Sequence, residues 1–425
     1  MPQDVQPSSP GVQSSPPTVS FKTVGCRLNQ AETDKIASQF TDAGYIIVDA
    51  ETECDVAVIN SCTITHGAER DSARWARRLR RKGAATVVLA GCAVVHNGKT
   101  LKEQTGADII ANQSDKFRLL ELLPEINPAV NHSSFIVHRS PHTRALVKAQ
   151  DGCSFRCSYC IVPDTRGRPY SRPLKDVLDD IKRFADRGFK EVVITGANIG
   201  CYHDGSSNLI QLLEKTEAVN GIERIRISSI ESTTAEREVI DFMAASSKLC
   251  HFLHLPLQSG DDETLKRMRR HYTSAEYRKV AEYAVERIPD LGLGTDIIVG
   301  FPGETDVAFK NSLNLVEDIP FSNLHVFSYS RRSGTPAAEM PQQLDPAIKK
   351  ERSAQLISLG KSKRESFAES FVGREVSVLI EKITEDGTAC GWTGQYLPAR
   401  INMAEAEVNT VIRYIPKCND GDILR

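Results

Sequence analysis

The chain has 425 residues, more than a single hydrophobic core normally covers, so two or three domains are expected. Its 40% hydrophobic and 25% charged residues are the balance of a soluble globular protein, and no apolar run reaches the length that spans a bilayer, which excludes a membrane protein built on helices. A net charge of −2 excludes nucleic-acid binding by global charge and leaves that role to local basic patches.

Residues 1–18 are rich in Pro, Ser and Gln. They lack the basic start and apolar stretch of a signal peptide, and a disordered tail is expected. Eleven cysteines without a secretion signal point to a reducing, cytoplasmic setting and to metal or redox use. Three short apolar runs follow, at Val19–Val24, Val56–Asn60 and Thr86–Ala90. Each reads as a buried parallel strand, and helix-like segments at Gln30–Asp42 and His66–Lys82 separate them. The fold class is therefore α/β, with a small doubly wound domain over residues 19–130. Each of the three runs leads to a cysteine: Cys26, Cys62 and Cys92. The carboxyl ends of strands in an open parallel sheet share one edge, where ligands bind. Three cysteines distant in sequence are thus expected to converge as a metal site; the alternative is three unrelated buried cysteines.

A second strand series starts at Arg144–Lys148 and continues at Glu191–Thr195, Arg224–Ser228, Phe252–Leu257, Gly294–Val299 and Leu324–Phe327. Helix-like stretches such as Leu174–Arg187 and Ser274–Arg287 lie between them. Six alternating units predict a partial (β/α)6 barrel within residues 139–370, with catalytic groups at the carboxyl ends of its strands. The polar residues that fall there are Cys153, Gly196, Asn198, Glu231 and Gln258. Loop chemistry alone also favours Gly and Asn at such places. A polar, basic helix from Ala347 to about Ser370 is followed by short strand-like runs at Glu375–Ile380, Thr388–Trp392 and Ala399–Asn402, which predict a small β-barrel over residues 371–425.

The run Cys153-Ser154-Phe155-Arg156-Cys157-Ser158-Tyr159-Cys160 carries the most chemistry. Three thiolates this close can hold three irons of a cubane [4Fe-4S] cluster and leave the fourth open to a small molecule. A zinc site would want a fourth Cys or His close by, and none follows before Cys201 and His203. A disulfide set would leave one thiol over.

This spacing resembles that of the radical S-adenosylmethionine (SAM) enzymes, and the whole chain from about Val19 is similar to the radical-SAM methylthiotransferases. The resemblance is carried by Gly25-Cys26-Arg27-Leu28-Asn29-Gln30, Asn60-Ser61-Cys62-Thr63 and Gly91-Cys92, and at the far end by Val372-Gly373, Val378-Leu379-Ile380-Glu381 and Gly391-Trp392-Thr393-Gly394-Gln395-Tyr396. Ala93-Val94-Val95 departs from the aromatic and Gln residues usual in that family.

The resemblance implies two [4Fe-4S] clusters, one on Cys153, Cys157 and Cys160 and one on Cys26, Cys62 and Cys92. It also implies SAM on the first open iron and a C-terminal TRAM-like RNA-binding domain. Tyr159 resembles the aromatic near the SAM adenine, with plain loop packing as the other reading, and Gly196, Asn198, Glu231 and Gln258 are SAM-contact candidates by analogy. Thr195-Gly196-Ala197-Asn198 and Arg226-Ile227-Ser228-Ser229-Ile230-Glu231 are most similar to the bacterial-type branch that adds a methylthio group to carbon 2 of N6-threonylcarbamoyladenosine at tRNA position 37. Sister branches act on isopentenyladenosine or on a ribosomal-protein aspartate.

The implied partners are a tRNA anticodon loop, an external electron donor and a sulfur source, with no membrane. Two basic stretches are candidates for phosphate contact, Arg70–Lys82 and Lys266–Arg270, although a charge run is usually a solvated helix face. Ser228, Ser229, Arg331 and Arg332 are further polar candidates for the threonylcarbamoyl group. A non-catalytic iron–sulfur electron carrier and a plain RNA-binding protein are the competing classes.

Overall fold

A computed structural model describes residues 16–124, 143–403 and 405–425. Residues 1–15 of the expected tail, and the expected boundaries at 130 and 139, lie outside the described residues. The described residues fall into two units.

The first unit comprises residues 16–25, 32–62 and 67–124. Its strands are β1 (Thr18–Thr23), β2 (Ile46–Val48), β3 (Val56–Ser61), β4 (Thr86–Gly91) and β5 (Ile109–Ala111). They form one parallel sheet in the order β2-β1-β3-β4-β5. Successive residues of β3 and β4 serve two separate cores. Val56, Val58, Val88 and Ala90 pack with Ile36 and Phe40 of one helix; Ala57, Ile59, Val87 and Leu89 pack with Ala73, Ala76 and Leu79 of another. Both faces of the sheet are therefore covered, which is why its central strands read as unbroken apolar runs. The expected doubly wound domain is present, with two edge strands, β2 and β5, that are only three residues long. The strand order reverses between β1 and β3, the kind of point at which open α/β sheets bind ligands.

The second unit comprises residues 26–31, 63–66 and the described residues from 143 onward. Its next strands are β6 (Arg144–Lys148), the hairpin pair β7 (Gln150–Asp151) and β8 (Tyr170–Ser171), then β9 (Glu191–Thr195), β10 (Arg224–Ile227), β11 (Phe252–His254), β12 (Gly292–Val299) and β13 (Asn323–Ser328). Two parallel sheets, β10-β9-β6 and β11-β12-β13, make up the barrel wall. The segment before β11 joins them through Cys250 N to Ile225 O at 2.7 Å and Ile225 N to Lys248 O at 2.8 Å. Six parallel strands thus stand where a partial (β/α)6 barrel is expected. Two strands are shorter than expected: β10 by one residue, and β11, which stops at His254 because Pro256 has no N–H to donate and Gln258 takes a φ of 69°.

Alternation sorts the wall. Ala145, Val147, Val192, Ile194, Ile225, Ile227, Leu253 and Leu293 lie in one core with the surrounding helices. Their neighbours Arg144, Glu191, Arg224, Arg226, His254 and Asp296 take the opposite face of the same strands, so the barrel lumen is lined by charge.

The helix Pro346–Glu369 starts at Asp345, whose side chain caps the Ala347 N–H, with Pro346 in the first turn. It leads to β14 (Val376–Ile383), β15 (Thr388–Thr393), β16 (Pro398–Asn402), β17 (Val411–Tyr414), β18 (Asn419–Asp420) and β19 (Ile423–Leu424). These form a mixed six-stranded sheet over a core that includes Phe371, Val378, Ile380 and Leu397. The turn after β15 docks on the barrel. Arg226 donates to the carbonyls of Thr393 and Gly394 at 3.1 Å each, and Arg224 to that of Trp392 at 3.0 Å.

Candidate active site

The Cys153–Cys160 loop follows β6 and β7 at the carboxyl end of the wall. Its three cysteines carry free thiols; Cys157 is buried and the other two are half-buried. Burial raises the Cys160 thiol to about 12, and the neighbouring Cys157 and Cys153 push it the same way. Cys153 is raised too, by burial first and then by Cys157 against an opposing backbone hydrogen bond. The Cys153 and Cys160 thiols, held in a poorly solvated loop, are costly to ionise without a cation. Irons of a cluster would supply that charge, so the donor set fits a three-thiolate cluster with one open iron.

Arg270 organises this loop. It donates to Cys157 Sγ at 3.3 Å, to the Tyr159 hydroxyl at 3.4 Å and to Glu231 Oε1 at 3.3 Å, and its side chain is 3% exposed. Burial alone would lower its pKa, but Tyr159, Tyr272, Glu231 and Cys157 more than offset that and hold the cation firmly charged. The expectation that Arg270 belongs to a phosphate-binding stretch is thereby corrected: it is a buried partner of the cysteine loop. Arg267 of the same stretch is likewise engaged, with Thr264 and the Gly303 carbonyl.

The other sequence candidates divide. Glu231 is paired with Arg270. Tyr159 packs edge-on to Phe301 at 6.4 Å, with its hydroxyl against Arg270. Gly196 leaves room for Gln150, since an added Cβ would come 2.8 Å from Gln150 Oε1. That same oxygen accepts from the Asn198 N–H at 2.8 Å. Gln258 holds its left-handed backbone between Asp296 O and Ile298 N, a conformation that functional sites retain at a cost. Asn198 is 4% exposed, yet neither its Oδ1 nor its Nδ2 has a partner, and the buried hydroxyls of Ser228 and Ser232 lack one as well. Buried polar atoms left unsatisfied are costly, so this rim suits a polar ligand such as SAM.

In the first unit, Thr23 pairs with Asn60 and Ser61 with Gly91. Cys62 and Cys92 therefore each follow a member of one registered pair; Cys26, which is exposed, comes three residues after the end of β1 and is counted with the second unit. Gly91 has φ 97°, and a Cβ there would fall 2.5 Å from Asn60 Oδ1, so only glycine lets the chain turn from β4 into the helix Cys92–Thr105. Cys92 thus opens a helix, whose positive end favours a negative ligand. Gln113 Nε2 donates to Cys92 Sγ at 3.0 Å, as a polar partner around a metal-binding thiolate does.

The lumen holds groups that sequence reasoning missed. His254 Nε2 and His325 Nδ1 lie 3.0 and 3.2 Å from the same oxygen, Asp296 Oδ1. Glu191, fully buried, pairs with Arg226 at 3.0 Å and Arg224 at 2.9 Å. Burial opposes its charge, but Arg226, Arg224 and Arg144 win and bring its carboxyl down to about 2. The available signal was charge inside alternating strands, where a solvent-facing strand is the usual reading. Arg332, a polar candidate for the threonylcarbamoyl group, is 1% exposed and bonds His66 and Thr63. Of the basic helix His66–Arg81, Arg78 pairs with Glu51, Arg80 with Asp108 and Arg74 with Asp71, which makes much of it a neutralised surface.

Residues 147–316 match the Radical SAM superfamily, and residues 18–112 match Uncharacterized protein family UPF0004. The chain is 33% identical to a threonylcarbamoyladenosine tRNA methylthiotransferase MtaB of Bacillus subtilis over 93% of both chains. It is 32% identical to a tRNA-2-methylthio-N(6)-dimethylallyladenosine synthase of Thermodesulfovibrio yellowstonii, over 88% of this chain and 90% of that one. A radical S-adenosylmethionine methyltransferase, TsrM, from Kitasatospora setae, solved with cobalamin and a [4Fe-4S] cluster, shares the fold with a TM-score of 0.58 at 15% identity, covering 76% of this chain and 77% of that one. No helix among the described residues is long and apolar enough to cross a membrane.

Proposed function

This chain belongs to the radical-SAM methylthiotransferase family, and on that premise we propose that it transfers a methylthio group to carbon 2 of N6-threonylcarbamoyladenosine at position 37 of tRNA. The observation that carries the reading is the loop of three free thiols at the carboxyl end of the first barrel strand, beside buried rim groups with no partner of their own. Cys153, Cys157 and Cys160 hold one [4Fe-4S] cluster, and Cys26, Cys62 and Cys92 hold a second. When bound, the clusters and SAM supply one-electron chemistry at an unactivated aromatic C–H, together with the sulfur and methyl delivered there.

The protein's own residues bind and orient. Asn198 and Ser228 offer unspent donors and acceptors to SAM, with Gly196, Gln258 and Tyr159 shaping the same rim. Arg270 keeps Cys157 and Tyr159 in place and neutralises Glu231. The charged lumen favours the threonylcarbamoyl substituent over an isopentenyl group, since buried polar groups left without partners by an apolar ligand cost affinity. The RNA partner is the anticodon loop, whose bases can leave the stack. The sheet from β14 to β19 is the TRAM-like RNA-binding part, and an external electron donor and sulfur source complete the reaction.

Mass analysis of tRNA nucleosides from cells lacking the gene tests the reading. The 2-methylthio form of threonylcarbamoyladenosine should disappear and the unmethylthiolated nucleoside should accumulate. Loss from isopentenyladenosine alone would reassign the substrate.

A further inference from the structure

Four guanidiniums gather where β15 docks on the barrel: Arg27, Arg144, Arg224 and Arg226. Three have acidic partners. Arg224 and Arg226 share Glu191, and Arg144 pairs with Glu381 at 2.8 Å. Arg27 has none. Among the described residues its one side-chain hydrogen bond is to the neutral hydroxyl of Tyr396, and its guanidinium lies 5.1 Å from that ring's centroid. The guanidiniums of Arg226 and Arg144 lie 4.9 and 5.7 Å from the same ring, so one phenol is approached by three cations. Two carboxylates face four arginines, so two positive charges are uncompensated, and among the described residues Arg27 is the one of the four with no acidic partner.

A half-buried cation in such company is unstable for a physical reason. It has given up water on folding, and the guanidiniums of Arg226 and Arg144 repel it across the same ring. The Tyr396 hydroxyl is correspondingly easier to ionise: burial raises its pKa, but Arg27 and Arg144 outweigh that. The protein keeps both groups at the foot of its lumen, beside Phe252 at the start of β11, where the Tyr396 and Phe252 rings lie 4.9 Å apart, tilted by 32°. An oxyanion is what the place lacks.

We propose that Arg27 receives the carboxylate of the threonyl group carried on N6 of the target adenosine, and so selects an acidic substituent on the base. The inference rests on the threonylcarbamoyladenosine reading and deepens it. An RNA phosphate carries similar charge, but a backbone phosphate of a folded loop stays outside a barrel, whereas a substituent of an unstacked base enters with that base. On adenine, N6 and carbon 2 flank N1 from opposite sides. A base that turns carbon 2 to the Cys153–Cys160 loop at the carboxyl rim therefore sends its N6 substituent away from that rim, toward the foot of the lumen. Arg27 is also the residue next to Cys26, so the segment that recognises the substituent is continuous with a cysteine assigned to sulfur delivery.

The test uses the reconstituted holoenzyme with SAM, held anaerobically, and anticodon stem–loop RNAs. Binding is measured for RNA carrying threonylcarbamoyladenosine, for the same RNA with the threonyl carboxylate converted to the carboxamide, and for RNA with unmodified adenosine 37. Wild type should bind the acid more tightly than the carboxamide by on the order of 10- to 100-fold, the range of a charge-assisted hydrogen bond. Arg27→Gln should remove that preference while leaving affinity for the unmodified RNA unchanged, and Arg27→Lys should restore part of it. Equal affinity of wild type for acid and carboxamide overturns the proposal without needing any variant to fold. Equal weakening on all three RNAs with a reduced salt slope identifies a phosphate contact and also overturns it. Preference of wild type for an isopentenyladenosine stem–loop would instead overturn the substrate reading on which the proposal rests.

Discussion

Replacing Glu191 with Gln tests how the barrel and the C-terminal sheet are held together. Glu191 is fully buried, and its two oxygens serve Arg224 and Arg226, which in turn hold the carbonyls of Trp392, Thr393 and Gly394. Removing the carboxylate charge leaves two buried guanidiniums with carbonyls alone, and breaking a buried ion pair from one side costs about 3–5 kcal/mol. Titration gives a second route to the magnitude. The carboxyl is held down to about 2 from an ordinary 4.5. At about 1.4 kcal/mol per pH unit, the charged form is stabilised on the order of 3 kcal/mol by the fold. Because the folded value is the lower one, this stability is present above about pH 4.5 and is lost as the pH falls toward 2. Thermal unfolding of the apoprotein, followed by far-UV circular dichroism at pH 7, should show Glu191→Gln melting roughly 6–20 °C below the parent. The gap should narrow as the pH is lowered through that window. Glu191→Gln combined with Arg226→Met should recover part of the stability, since it removes one of the two buried cations left without their carboxylate. A single variant that melts within about 2 °C of the parent at pH 7 would refute the claim that this cluster carries stability.

Anaerobic reconstitution should load two clusters per chain; Cys157→Ala should lose one of them and all SAM cleavage, while Cys62→Ala should lose the other and keep SAM cleavage, read by iron and sulfide content and by 5′-deoxyadenosine release. Arg270→Gln removes a positive charge 3.3 Å from Cys157 Sγ and should make the reduction potential of that cluster more negative in an EPR-monitored titration, whereas Glu231→Gln should shift it the other way; shifts of one sign in both variants would show that charge is not the cause. In the helix His66–Arg81, Arg78 and Arg80 already have acidic partners, so Arg77→Ser with Arg81→Ser is the informative pair. The salt slope of tRNA binding should fall by about one for every phosphate these two arginines neutralise, and an unchanged slope marks a solvated helix face.

The α/β class, the doubly wound first unit and the six parallel barrel strands were all legible in the sequence, because strands buried on both faces, or on one, write their burial into runs and alternation of apolar residues. The short strands β2 and β5 were not, since three residues carry no period. The cysteine loop was legible because its chemistry is local: Cys153, Cys157 and Cys160 are within one turn of chain, and no distant residue is needed to recognise three thiols at that spacing. The Asn198 rim position was legible as the polar end of a strand, but its lack of any partner was not, for that depends on everything packed around it.

Charge is where local reading gave out. Lys266–Arg270 looks uniform along the chain, yet Arg270 turns inward to Glu231 and Cys157. Arg226 meets carbonyls 167 and 168 residues away, and Arg27 meets a hydroxyl 369 residues away. No pattern along a strand encodes such a pair, because the partner is chosen by strand register and by how the β15 turn docks. The order of residues along the chain settles which side chains are apolar, which thiols cluster and where strands alternate. Folding settles which cations meet a carboxylate and which do not, because the free energy of a charge depends on the water and counter-charges that folding removes or brings near it.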